Sequence, residues 1–283
     1  MTLEVTAVGP GVLVQDRGRP GWAHLGVPRS GALDAPAAAL ANRLVGNQED
    51  AAVLEVLLGG LELTTDTGIW VAVTGAECRV EVAGRPREFA AAVRVPAGAT
   101  LRLATPAAGL RSYVAVSGGI AVEPVLGSRS TDTLGRVGPA PVSAGDRLPV
   151  GAAPGTPTPV DIRRTPAPGP LHVLPGPRAD RVAGDVVGLL AATSYTVSPH
   201  SDRVGLRLTG DRLPMSRTDE LPSEGIVLGA VQLPPDGLPV VFLADHPTTG
   251  GYPVVAVVDQ GDLWRCAQLR PGDQVVFRRA AKG

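Results

Sequence analysis

Apolar residues along this chain fall in short Val/Leu-rich bursts, separated by Gly and Pro, rather than in long stripes of helical period. Bursts of this kind bounded by turn-formers predict strands at 68–73, 78–82, 93–96, 100–104, 112–116, 171–174, 193–197, 204–209, 239–244, 254–258 and 274–277. The 36 Gly and 28 Pro supply the turns between them. Many short strands at close spacing point to closed or nearly closed barrels rather than a doubly wound sheet. Two segments carry a helical period instead. Asp34 caps one, with Pro36 in its first turn, Ala37, Leu40, Ala41 and Leu44 on one face, and Gly46 as the stop. The other covers 180–190, with Val182, Val186, Leu189 and Leu190 on a stripe that Gly184 and Gly188 weaken.

The expected class is mainly β, with two barrel-like halves and a few short helices. A Pro/Gly/Ala-dense stretch over 151–170 marks the boundary, because such composition disfavours regular structure. The division it predicts is an N-terminal β subdomain over 1–155, a linker over 156–170 and a C-terminal β subdomain over 171–283. A Gly-Asp turn leading into an apolar stretch occurs late in both halves, at Gly145-Asp146 and Gly272-Asp273.

Composition narrows the chemistry. Net charge is −1, with the charges interspersed, so neither a polybasic stripe for nucleic acid nor an acidic tail is present. Two Cys make neither a disulfide framework nor a zinc cluster. The N-terminus lacks the pattern of a signal peptide, and no apolar run of about 18 residues suggests a membrane span, so a cytoplasmic setting is expected. The only Lys is Lys282; the other 25 of the 26 basic residues are Arg. No Gly-x-x-x-x-Gly-Lys phosphate loop exists, and a buried Schiff-base Lys is excluded. Covalent biotin, which attaches to Lys, would have to arrive on another polypeptide. His24, His172, His200 and His246 show no ligand spacing, and Gly-x-Ser-x-Gly is absent, so neither a metal site nor a hydrolase elbow is indicated.

The candidate site lies in the C-terminal half. Asp245-His-Pro-Thr-Thr-Gly-Gly-Tyr-Pro253 joins two strongly apolar runs. It brings an acid, the hydroxyls of Thr248 and Thr249, and the adjacent Gly250 and Gly251, whose backbone N–H groups can approach a ligand without Cβ interference. A plain turn of seven residues is the competing account. In Ser201-Asp202-Arg203, the Asp can orient the guanidinium and the Ser can close the turn before a strand. Alternation along that strand places Arg203, Gly205 and Arg207 on one side, where a missing side chain leaves room for an anion between two Arg forks. For Arg207 alone, a solvated edge position is the simpler account. Ser223-Glu224-Gly225 ends a polar loop, and Glu224 could act as a general base if desolvation raised its pKa. Gln232 stands among Val and Leu, where a buried amide must find partners.

Several of these stretches resemble one family. In the N-terminal half they are Val14-Gln-Asp-Arg-Gly-Arg-Pro-Gly21, Gly31-Ala-Leu-Asp34, Asn42-Arg-Leu-Val-Gly-Asn47, Leu54-Glu-Val56, Arg111-Ser-Tyr-Val-Ala-Val-Ser-Gly-Gly-Ile120 and Ser128-Arg-Ser-Thr-Asp132. In the C-terminal half they are Pro175-Gly-Pro177, Ser201-Asp-Arg-Val-Gly-Leu-Arg207, Ser223-Glu-Gly225, Gly229-Ala-Val-Gln232 and the Asp245–Pro253 loop. The chain is similar over 3–277 to the biotin-dependent carboxyltransferase family, which includes the 5-oxoprolinase C subunit, the KipA proteins and allophanate hydrolase subunit 2. Asp202 stands where some relatives carry Asn, and Lys is scarcer than usual.

The resemblance implies a pair of cyclophilin-like β-barrel subdomains. It implies a KipI-like partner, the 5-oxoprolinase B subunit, with a third partner, the 5-oxoprolinase A subunit, in ATP-dependent opening of 5-oxoproline to glutamate. ATP would then be used through the partner subunits, with no cofactor bound covalently here, and the chain would be active only in the complex. By the same resemblance, Arg203 and the Thr248–Gly251 backbone serve as anion or oxyanion donors. Asp245, Glu224 and Gln232 orient a small amide substrate or move a proton, with Ser201, Asp202 and Ser223 lining the site. Two other functions fit the same family: one half of a biotin-dependent urea-type carboxyltransferase, and a non-catalytic antagonist of a KipI-like kinase inhibitor.

Overall fold

A computed structural model of the chain describes residues 1–157, 169–217 and 219–281. It is mainly β, with three short α-helices among the described residues, Ala35–Leu44, Val186–Ala192 and Leu263–Cys266. Two compact units divide it: Met1–Arg19, Ser30–Asp132 and Arg136–Thr165 form the first, and Pro20–Arg29, Thr133–Gly135 and Pro166–Gly283 the second. Two short pieces of the N-terminal half therefore belong to the C-terminal unit. Most of the linker expected over 156–170 lies outside the described residues, as does Lys282.

The first unit holds two antiparallel sheets. One runs in the order Arg147–Pro149, Thr2–Ala7, Glu62–Thr65, Leu101–Leu103, Val80–Val82, Arg85–Arg87; the other runs Gly11–Gln15, Val53–Leu57, Arg111–Val116, Ile69–Gly75, Val93–Val95. Alternate residues of both enclose one core, which includes Leu3, Val5, Leu54, Val56, Leu63, Val71, Val73, Val80, Leu101, Val114 and Val116. The opposite face of the second sheet, carrying Val53, Ala72, Tyr113 and Ala115, packs against the Ala35–Leu44 helix through Ala37, Ala38, Ala41 and Leu44. Burial on both faces is why Arg111–Val116 reads as an unbroken run rather than an alternating one. The helix starts where the sequence predicts. Asp34 accepts a hydrogen bond from the Ala37 backbone N–H at 3.0 Å, and Pro stands in the first turn.

The second unit closes a seven-stranded barrel: Leu171–Pro175, Val254–Val258, Ala230–Gln232, Val240–Phe242, Gly205–Thr209, Ser194–Val197, Gln274–Arg279. Parallel pairing of Leu171 with Phe277 completes the ring, so no edge remains. Buried Val173, Tyr195, Leu206, Leu208, Val231, Val241, Val255, Val275 and Phe277 fill it. The helix expected over 180–190 is two elements instead, a 3-10 turn at Ala179–Arg181 and the helix Val186–Ala192. Gly184, at φ 110°, breaks the run because an α-helix cannot pass through that conformation.

Outside the barrel stands a two-stranded ribbon that pairs Glu224–Gly225 with Thr249–Gly250. It rests on a small apolar cluster of Ile226, Ala230, Phe242 and Val254.

Candidate functional site

The site is built where two barrel strands end. The backbone N–H of Asp245 donates to Arg203 O at 3.1 Å, and Leu243 N donates to Val204 O at 2.9 Å, so residues 203 and 245 lie side by side. Their side chains then form a bidentate pair: Arg203 Nε to Asp245 Oδ2 at 2.9 Å, and Nη2 to Oδ1 at 3.1 Å. Both are buried, Arg203 at 5 % exposure and Asp245 at 0 %. Thr133 adds two further bonds to Oδ2, from its backbone N–H at 3.0 Å and its hydroxyl at 2.7 Å. Burial pushes the Asp245 carboxyl up, but the Arg203 charge and hydrogen bonds, with those from Thr133, outweigh it and hold the pKa below the usual carboxylate value. A carboxylate that accepts four such bonds positions its neighbours; it is a poor carrier of protons.

Asp245 opens the loop whose far end forms the ribbon. There Ile226 N donates to Thr248 O at 3.0 Å, and Glu224 faces Gly250 in register. Gln232 is buried beneath, its Nε2 donating to Tyr252 O at 2.9 Å. The twin glycines are not demanded by left-handed backbone, since neither has positive φ. Gly250 is demanded by space: a Cβ there would stand 2.6 Å from Ile226 Cδ1 and 3.0 Å from the Gln232 amide nitrogen. At Gly251 the nearest atom to such a Cβ would be Leu221 O at 3.5 Å, so that position opens outward. Thr249, Gly251 and Ser223 are exposed, while Thr248 and Gly250 are half-buried. Close approach explains Gly250 better than turn geometry does, while neither demands a glycine at 251.

Glu224 departs from the desolvated base that the sequence allowed. Arg178 binds it at both carboxylate oxygens, the Nε–Oε2 contact being 3.1 Å. The Arg178 hydrogen bond, ahead of the opposing effect of desolvation, lowers its pKa. Glu224 is thus an ionised acceptor at neutral pH.

Two expectations around Arg203 change and two hold. The carboxylate that orients its guanidinium is Asp245, whereas Asp202 Oδ1 accepts from the backbone N–H groups of Val204 at 2.8 Å and Gly205 at 3.0 Å. Ser201 closes the turn as expected, accepting from Arg207 N at 3.0 Å and donating to Arg207 O at 3.2 Å. No floor space for an anion exists at Gly205, because Val240 Cγ1 would lie 3.0 Å from a Cβ placed there. Arg207 is exposed, in line with the simpler account.

Sequence reasoning missed Thr133, Arg178 and His246. The first two stand within a residue of quoted motifs, 128–132 and 175–177, and nothing in those motifs marks them as partners of an acid forty or more residues away. His246 is 7 % exposed, and its Nδ1 donates to Pro247 O at 2.8 Å. Burial, ahead of the opposing effects of that bond and of Asp245, lowers its pKa below 6.5. A depressed folded pKa contributes stability that is full above the unfolded value and is lost as pH falls through the folded one. His246→Gln should therefore flatten the decline in thermal stability of the folded chain between about pH 7 and pH 5. An unchanged slope would remove His246 from the balance.

Residues 25–279 match the family described as carboxyltransferase domain, subdomain A and B. The chain is 36% identical over 282 residues to the 5-oxoprolinase C subunit of Escherichia coli, covering 97% of this chain and 90% of that protein. It is 32% identical to a urea amidolyase of Lachancea kluyveri, again over 97% of this chain but only 17% of that one. Among solved structures, TTHA0988 superposes with TM-score 0.88 at 40% identity, over 98% of this chain and 55% of that one. The Kluyveromyces lactis urea amidolyase superposes with TM-score 0.90 at 29% identity, over 99% of this chain and 19% of that one. This chain thus spans about half of one solved relative and about a fifth of the other.

Proposed function

This chain belongs to the carboxyltransferase domain family, subdomains A and B, and on that premise we propose that it is the C-type subunit of an ATP-dependent 5-oxoprolinase. The reading draws on the E. coli and Haemophilus influenzae relatives, both named as 5-oxoprolinase C subunits and both matched over 90% of their length. The observation that carries it here is the glycine ribbon above Gln232, tethered by the Arg203–Asp245–Thr133 cluster.

In this proposal the half-buried Thr248 and the Gly250–Gly251 backbone receive the ring amide of 5-oxoproline and the negative charge that develops on its oxygen. Glu224, held ionised by Arg178, accepts a hydrogen bond from the ring N–H. Arg203 and Asp245 fix the loop so that these donors and acceptors do not reorganise during reaction. ATP is bound by the partners, a KipI-like B-type subunit with an A-type subunit, because this chain has no phosphate loop.

The urea amidolyase relatives favour a second reading, a urea-type carboxyltransferase half. Carboxybiotin would then be a substrate delivered on another polypeptide. One experiment separates the two: the chain is co-expressed with candidate partner subunits, and glutamate formed from 5-oxoproline and ATP is measured. Glutamate formation that requires this chain is expected. No glutamate, but carboxybiotin-dependent carboxylation of urea, would overturn the 5-oxoprolinase reading. Tight partner binding without either turnover would leave sequestration of a KipI-like protein as the function.

A further inference from the structure

The first unit carries a guanidinium that no acid among the described residues neutralises, at the wall of a cavity of about 500 Å³. Arg94 and Trp70 are direct cross-strand partners in the pairing of Val93–Val95 with Ile69–Gly75. This register lays the guanidinium over the indole, 5.8 Å from the ring centroid, within the range of cation–π attraction. Among the described residues the Arg94 side chain makes no hydrogen bond or ion pair, whereas Arg79 and Arg102 of the same unit pair with Glu81 and Glu62. Gly68 makes the placement possible, since a Cβ there would stand 2.6 Å from Arg94 Nη2.

The same cavity is lined by Ser117, which the Ser117 N to Trp70 O bond of 2.8 Å holds beside the indole. Its hydroxyl is buried and has no hydrogen-bond partner among the described residues. A buried hydroxyl without a partner costs free energy, and such groups are uncommon in folded proteins. Among the described residues, Arg94 is the one charged side chain of the lining, and the Met1 amino group has the Asp66 carboxylate as a neighbour. The cavity's volume suits a small organic molecule.

We propose that this cavity is a binding site for a small organic carboxylate, gripped by the Arg94 guanidinium and flanked by the Trp70 ring, with Ser117 in the wall behind them. One unpaired side-chain charge in the lining matches a single negative charge. A phosphate dianion would leave half its charge uncompensated. The site is independent of the 5-oxoprolinase reading and of the residues assigned to it.

Benzoate is the probe, titrated into the full chain while NMR follows the Arg94 Nε–H and Trp70 indole N–H signals. A saturable shift of both is expected. Arg94→Gln and Gly68→Ala should each weaken benzoate binding by about tenfold or more, the first by removing the charge and the second by displacing it. Gly68→Ala asks only an exposed, flexible side chain to move, so it should keep the wild-type spectrum elsewhere. Inorganic phosphate should bind more weakly than benzoate. The proposal is overturned if benzoate produces no saturable shift, if both variants bind it as the wild type does, or if phosphate binds at least as well.

Discussion

Asp245→Ala should destabilise the second unit by about 3–5 kcal/mol, the usual cost of leaving one member of a buried ion pair without its partner. Arg203 would keep its charge at 5 % exposure while losing both carboxylate contacts, and Thr133 would lose the acceptor of two hydrogen bonds. Double replacement, Arg203→Met with Asp245→Leu, should recover much of the loss, because an apolar pair of similar volume leaves no uncompensated charge. The pair also fixes the sign of the acid response. The Asp245 pKa is depressed in the folded state, so its contribution is full above the usual carboxylate pKa and disappears as pH falls through the folded value. Asp245→Ala should lose that acid limb. Denaturant melts across pH report both effects; a loss below about 1 kcal/mol would mean that the pair is solvated and not structural.

Arg203→Lys should cut the turnover of the assembled complex by about a hundredfold or more, although it conserves charge. A single ammonium cannot reproduce two parallel N–H···O contacts to one carboxylate, so Asp245 and the loop behind it would shift. Misplacement of donors by about 1 Å is sufficient for a loss of that size. The effect should fall on kcat more than on KM, and partner binding should be retained. Measurements well below the melting temperature of the variant separate this from unfolding. A complex that binds its partners, melts normally and turns over within about threefold of wild type would show that the loop needs no bidentate anchor.

Much of this architecture is legible in the chain. All eleven strands expected from apolar bursts exist, and the Asp34 cap sits where the spacing places it. The segments missed include Thr2–Ala7, Gly11–Gln15, Val53–Leu57 and Glu62–Thr65 in the first unit, and the two strands of the ribbon, whose pairing depends on residues distant in sequence. Glu224–Gly225 and Thr249–Gly250 are too short and too polar to register as strands alone, and they exist because each completes the other. In the sequence Gly184 is visible as a weak point of the second helix but not as its break, which requires its φ. In the site, residue types are readable and partners are not. Asp202 adjoins Arg203 yet caps a turn, while the true partner lies 42 residues on. Glu224 reads as available for proton transfer, and only the fold brings Arg178, 46 residues earlier, to rest on it.

Hydrogen exchange of the assembled complex, with and without saturating 5-oxoproline, tests the central claim most directly. Substrate should slow exchange of the backbone N–H groups at 223–225 and 248–251, and Arg203→Lys should abolish that protection. Turnover that proceeds with exchange at those amides unchanged would place the substrate elsewhere and contradict the account.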